Sequence, residues 1–121
     1  VRVWLPTTRV GLEQLRDSGW LPPGEAFGLT PQWCAQFDDQ DPEVLADELL
    51  QEQQSPVVVV AETSASLLPG LEGKVALGGA VPMTAVRAVF VSVAGSWLWF
   101  GPTEVEQAVA AAASSQGWHS S

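Results

Sequence analysis

The sequence is poor in the residue types that most often carry chemistry, with one cysteine and one histidine among 121 residues. A single cysteine excludes an internal disulfide. A catalytic cysteine needs a nearby base, and the only histidine, His119, lies in a segment that we expect to be a frayed tail. We therefore interpret Cys34 as a small hydrophobic core residue, predict no catalytic residue and no cofactor, and favour a protein that is not an enzyme.

Basic side chains are also scarce: 5 lysines and arginines stand against 14 acidic residues, and the net charge is -9. The basic residues are scattered along the chain, at Arg2, Arg9, Arg16, Lys74 and Arg87. Nucleic-acid backbones and anionic membranes are bound by clustered lysine and arginine. We therefore predict neither a nucleic-acid partner nor a membrane partner, whereas a protein partner or self-association is compatible with this charge.

Long apolar runs are absent. Uninterrupted runs such as Val57 to Ala61 and Ala88 to Val91 are far shorter than the roughly 20 residues that a membrane-spanning helix needs. The first residues, VRVWLP, lack the basic segment followed by an apolar segment that is typical of a secretory signal. These features predict a cytoplasmic protein.

The pattern of apolar residues predicts one domain over residues 1–115, followed by a frayed tail over residues 116–121. The last helix is expected to start from a capping box formed by Thr103 and Glu106. The aromatic residues 97–100 are a candidate edge strand. Helices are predicted at about 8–18, 31–37, 42–54 and 103–115, and strands at 1–5, 25–30, 57–61, 75–77 and 85–93.

This element order predicts an α+β fold: a single two-layer domain with helices packed on a mixed or mostly antiparallel sheet. A ferredoxin-like plait is the nearest standard topology, and a small parallel α/β sheet is the alternative. The run Val57 to Ala61 is apolar without interruption. Such a run is typical of a strand that is buried on both faces or lies at the centre of a sheet.

The acidic residues Asp38, Asp39 and Asp41 form the densest group of potential cation ligands. Their spacing lacks the glycine and the terminal glutamate of a calcium-binding loop. Asp41 is followed by Pro42 and Glu43, which is a strong signal for the start of a helix. We therefore predict a solvated, helix-capping turn and no metal site.

The segment from Trp97 to Phe100 reads Trp-Leu-Trp-Phe and is the most unusual feature of the sequence. In a strand, Trp97 and Trp99 point to one face while Leu98 and Phe100 point to the other, so both faces are apolar. Two interpretations stay open: a fully covered strand, or an exposed aromatic patch used for a partner. Trp4 and Trp20 would extend that patch if they lie close to it.

Five segments occur together in a fixed order: VRVWLPTT, AFGLTPQ, DDQDPEVLADELL, PVVVVAE and GAVPMTAVRAVFVS. In these segments the chain resembles a small family of actinobacterial proteins of unknown function, over residues 1 to about 113. The resemblance implies a shared fold and no activity. Residues 63–73 depart from the family pattern, and after Val93 the family's paired acids are replaced by Ala94, Gly95 and Ser96 and the aromatic segment.

Two functions from different classes follow. The first is a non-catalytic protein-interaction or regulatory module with a candidate interface at Trp97, Leu98, Trp99 and Phe100. The second is a small-molecule-binding domain or small enzyme with a pocket between sheet and helices. A concave pocket with convergent polar groups would favour the second, and an apolar surface patch would favour the first.

Overall fold

A computed structural model of the protein describes residues 1–117, with side chains through residue 113. The elements in chain order are β1 (Arg2–Thr7), α1 (Arg9–Ser18), β2 (Trp20–Leu21), β3 (Ala26–Phe27), α2 (Pro31–Cys34), α3 (Pro42–Gln51), β4 (Val57–Glu62), β5 (Ala65–Leu67), β6 (Lys74–Leu77), β7 (Val81–Pro82), β8 (Val86–Val93), β9 (Ser96–Phe100) and α4 (Val105–Gly117). Short 3₁₀ turns at Met83–Ala85 and Pro102–Glu104 precede β8 and α4.

Within residues 1–117 the strands form a seven-stranded sheet in the order β5-β6-β3-β1-β4-β8-β9 and a separate two-stranded sheet of β2 and β7. Every pairing in them is antiparallel. The predicted α+β class is confirmed. The parallel α/β alternative is wrong, because antiparallel connections place neighbouring strands in opposite directions.

Helices cover both faces of the large sheet. Buried residues of α1 and α4, such as Leu12 and Ala108, share a core with Val57 and Val59 of β4. Buried residues of α3, such as Leu49, share the opposite core with Val58 and Val60. The predicted two-layer arrangement is therefore wrong, and the ferredoxin-like plait is not confirmed, because the molecule has a helix layer on each side of a larger sheet.

The predicted helix boundaries are partly confirmed. Thr8 caps α1 by accepting a hydrogen bond from the amide of Gly11, and Asp41 caps α3 by accepting from the amide of Glu43. The helical segment at the end starts earlier than predicted, because Pro102 opens a 3₁₀ turn. The Gly101 amide there donates to the Glu104 carboxylate at 2.8 Å. Thr103 and Glu106 therefore do not form the predicted capping box.

The last helix reaches Gly117, and the rest of the predicted tail, residues 118–121, lies outside the described residues. None of the helices described in residues 1–117 is long and apolar enough to cross a membrane. The structure thus adds no membrane-spanning element to the part of the chain that it describes.

β8 and β9 form a hairpin with a two-residue loop, Ala94 and Gly95, between the paired residues Val93 and Ser96. Both loop residues have positive φ, 51° and 82°. Type I′ turns have positive φ at both central positions. They are favoured in hairpins because their twist matches the twist of the flanking strands. Ala94 is a non-glycine residue held in this region, which costs about 1–2 kcal/mol for most L-amino acids.

Ala94→Asn should therefore raise the free energy of unfolding by about 1 kcal/mol, because asparagine tolerates the left-handed region and Asn-Gly is a favoured type I′ pair. Gly95→Ala should change it in the opposite direction by about 1 kcal/mol. Urea unfolding of the three proteins measures both. Equal stabilities for all three would contradict the assignment of the turn.

Candidate functional site

The strand β9 lies at one edge of the seven-stranded sheet and pairs only with β8 among the described residues. Two residues of the aromatic segment are largely open to solvent: Trp99 is 61 % exposed and Leu98 is 42 % exposed. Trp97 and Phe100 are partly buried, Trp97 against the α3 core and Phe100 against the α1 and α4 core. The segment is thus an edge strand with an apolar residue open to solvent on each face.

The hydrogen-bond pattern of the hairpin shows which backbone groups of β9 face outward. A two-residue loop makes Val93 and Ser96 a hydrogen-bonded pair, and the pairs then alternate along the strands. Ser92 is paired with Trp97 in register, but its amide donates to the Pro56 carbonyl at 2.8 Å on the β4 side. The amides and carbonyls of Trp97 and Trp99 therefore point away from β8, toward the open edge.

Edge strands in native proteins are commonly protected by charges, proline or a bulge, because their free backbone groups pair readily with another strand. β9 reads Ser-Trp-Leu-Trp-Phe and contains neither a charge nor a proline. Its register with β8 is regular over all five residues, without a bulge. In the described part of the chain, this edge carries none of those protections.

A groove of about 760 Å³ lies beside β9, on the face of the sheet that α3 covers. Its floor is apolar and is formed by Trp4, Val60, Ala88 and Phe90 from three adjacent strands. Trp99 lies along one side. The opposite wall is the flank of α3, formed by Glu43, Ala46, Asp47 and Leu50.

Two of the five basic residues of the chain, Arg2 and Arg87, line the same groove. Arg2 forms a hydrogen-bonded ion pair with Glu62 at 3.0 Å. Arg87 has no partner in β4, because the register passes from Ala88 directly to Val86 at a bulge. Bulges redirect side chains, and Arg87 uses one guanidinium nitrogen for the carbonyls of Thr84 and Val86.

A second, more polar cleft of about 520 Å³ lies near the other end of the sheet. Lys74 lies between Glu72, at 3.1 Å, and Glu25, at 3.6 Å. The hydrogen bond that the Lys74 ammonium donates to the Glu72 carboxylate, together with the charges of both carboxylates, raises the pKa of Lys74. The lysine is thus held protonated, and a protonated amine is neither a general base nor a nucleophile.

Comparison with known families gives a match to a family model described as "Family of unknown function (DUF6912)", over residues 1–118. The chain belongs to this family. The comparisons with curated proteins and with solved structures found no match. Membership confirms that the chain resembles a family of unknown function, and it assigns no activity.

The other candidate residues that the structure describes do not line the groove beside β9. Cys34 is partly buried in α2, and burial raises the pKa of its thiol. His119 lies outside the described residues. Asp39 accepts a hydrogen bond from the Asp41 amide, and Asp41 caps α3. Among residues 1–117, no three histidine, cysteine or acidic side chains lie close enough together to hold a metal ion.

Of Trp4 and Trp20, the two tryptophans expected to extend the aromatic segment, the structure brings only Trp4 close to it. Trp4 lies in the floor of the groove that Trp99 borders, but it is almost completely buried. Trp20 is 53 % exposed, yet it lies in the separate two-stranded sheet with β7. The sequence predicts a pocket between sheet and helices only as an alternative and does not place it, because the groove is lined by Arg87 at the bulge and by the small side chain of Ala88.

Proposed function

We propose that this protein is a non-catalytic interaction module whose binding surface is the open edge of β9. The observation that carries the proposal is the combination at one edge: outward backbone groups at Trp97 and Trp99, and exposed side chains at Leu98 and Trp99. Strand addition to such an edge uses main-chain hydrogen bonds for affinity and alternate side chains for specificity.

The other features of the chain support a binding role over catalysis. In the polar cleft, Lys74 is paired with Glu25 and Glu72. The thiol of Cys34 has a raised pKa, which lowers its thiolate fraction and its reactivity. We place the module in the cytoplasm of an actinobacterium, as the sequence predicts. Its lone cysteine is compatible with a reducing compartment.

Trp99→Lys tests the proposal, because a charge on the edge opposes strand pairing and removes an exposed aromatic anchor. Truncation of a tryptophan at a binding hot spot costs about 2–4 kcal/mol, so we expect affinity for the partner to fall by roughly 30-fold or more. Tagged protein is used for affinity capture from the native host, and the Kd of each recovered partner is measured with purified components.

Trp20→Lys is the matched control, since Trp20 is a similarly exposed tryptophan in the other sheet. We expect it to retain wild-type affinity. A partner that binds wild type and Trp99→Lys equally, while Trp20→Lys fails, would place the interaction on a different surface. Circular dichroism of both variants checks that the fold is intact.

The groove supports a second candidate function, the binding of a small molecule between sheet and helix. Its volume of about 760 Å³ is within the usual range for ligand pockets, roughly 300–1,000 Å³. The apolar floor and the Arg87 guanidinium suit a flat ligand with a carboxylate. Ala88→Leu would fill the floor, so an aromatic carboxylate that raises the Tm of wild type should not raise that of Ala88→Leu.

A further inference from the structure

We propose that the partner of the β9 edge is a second copy of this chain, paired strand to strand in the antiparallel direction. The inference rests on the proposed function, because it names the partner of the same surface. The outward-facing backbone groups belong to Trp97 and Trp99, one residue on either side of Leu98. A two-fold axis at Leu98 therefore brings Trp97 of each copy opposite Trp99 of the other as a hydrogen-bonded pair.

This register also covers the exposed apolar side chains of the strand. Leu98 faces Leu98 of the second copy as a non-hydrogen-bonded pair, in which side chains approach most closely. On the groove side, Trp97 and Trp99 of one copy meet Trp99 and Trp97 of the other, and aromatic cross-strand pairs are among the favourable ones. Ser96 pairs with Phe100, so all five residues of β9 take part.

Charge favours this surface over the rest of the molecule for self-association. Each copy carries a net charge of -9, and like charge opposes contact between two copies. β9 contains no charged residue, so pairing through it places no like charges directly opposite one another. The other edge strand, β5, is three residues long against five for β9, and it offers fewer backbone hydrogen bonds.

The decisive test is a cysteine at the proposed axis. Leu98→Cys is made in a Cys34→Ala background, so that the new thiol is the only one. Non-hydrogen-bonded partners have Cα atoms about 4.5 Å apart, which lies within the range for a disulfide. Under mild oxidation we expect most of the protein to form a covalent dimer of twice the 12.8 kDa chain mass.

Ser96→Cys in the same background is the matched control. It lies on the same exposed strand, but in this register the two Ser96 positions are about 13 Å apart, too far for a disulfide. We expect only traces of covalent dimer. Sedimentation velocity of the unmodified protein needs no variant, and it should show a dimer that Trp99→Lys converts to monomer while Trp20→Lys does not.

Three results would overturn the inference: a monomeric wild type at every concentration, equal cross-linking of the Leu98→Cys and Ser96→Cys variants, or a dimer that persists in Trp99→Lys. These outcomes leave the proposed function separately testable. A monomeric wild type that binds a different protein in a Trp99-dependent manner refutes self-pairing and keeps the interaction role. If the wild type neither self-associates nor binds another protein in a Trp99-dependent manner, both the self-pairing and the proposed interaction role are refuted.

Discussion

Replacing Trp33 by alanine should lower the free energy of unfolding by about 3–5 kcal/mol, the usual cost of removing a large buried aromatic side chain. Trp33 is 1 % exposed and is the largest fully buried side chain of the described core. Its ring lies 4.6 Å from the ring of Phe37, and its indole nitrogen donates to the Glu52 carboxylate at 3.0 Å. Alanine would leave a cavity and would remove the hydrogen bond to the Glu52 carboxylate.

The position of Trp33 also depends on a glycine from a distant loop. A side chain at Gly73 would come within 3.2 Å of the Trp33 ring, and Gly73 has a φ of +76°. Trp33 of α2 therefore contacts both Glu52, which follows α3, and Gly73, which precedes β6. We expect its removal to loosen all three segments together.

Two variants separate packing from simple loss of a tryptophan. Trp33→Phe keeps a ring but loses the hydrogen bond to Glu52, so its cost should be smaller than that of alanine. Trp20→Ala removes a tryptophan that is 53 % exposed and should cost about 1–2 kcal/mol, clearly less than Trp33→Ala. Urea unfolding measures the stability of all three variants. A cost for Trp33→Ala as small as that for Trp20→Ala would show that Trp33 does not pack in the core between α3 and the sheet.

The sequence was sufficient for the class of the fold but not for its layers. The uninterrupted run from Val57 to Ala61 predicts a strand that is buried on both faces or lies at the centre of a sheet. In β4 all five of these residues are buried. That burial requires a helix layer on each side of the sheet. The two-layer prediction missed this, because the apolar stripes of α1 and α3 show that each helix packs on a sheet without showing which face it takes.

The sequence pattern also did not predict three very short strands. β2 and β7 have two residues each, Trp20–Leu21 and Val81–Pro82, and β5 has three. Segments of this length have no measurable alternation, so they become strands only through the partners that tertiary folding brings beside them. β5 lies within residues 63–73, the segment that departs from the family pattern.

The candidate site was predictable in one part and not in the other. The aromatic segment stands out by composition alone, and the order of apolar residues correctly places Trp97 and Trp99 on one face of the strand. Their exposure depends on β9 being at the edge, which only the strand order determines. The groove needs Arg87 to leave the regular alternation of β8, and nothing in the local sequence indicates that bulge.

The three-layer architecture makes a second prediction with a large effect. Leu12→Ala on α1 and Leu49→Ala on α3 should each lower the free energy of unfolding by about 2–5 kcal/mol. Both side chains are completely buried, and they lie in separate cores on opposite faces of the sheet. Each variant removes buried apolar surface and leaves a cavity that rigid strands on one side cannot fill.

Neighbouring exposed residues on the same helices are the controls. Val10→Ala on α1 and Val44→Ala on α3 remove side chains that are 62 % and 40 % exposed, so each should cost about 1 kcal/mol or less. Helix propensity favours alanine over valine at both sites, which reduces the cost further. If either Leu12→Ala or Leu49→Ala were as mild as its control, that helix would not be packed on the sheet, and the corresponding face of β4 would have to be covered by something else.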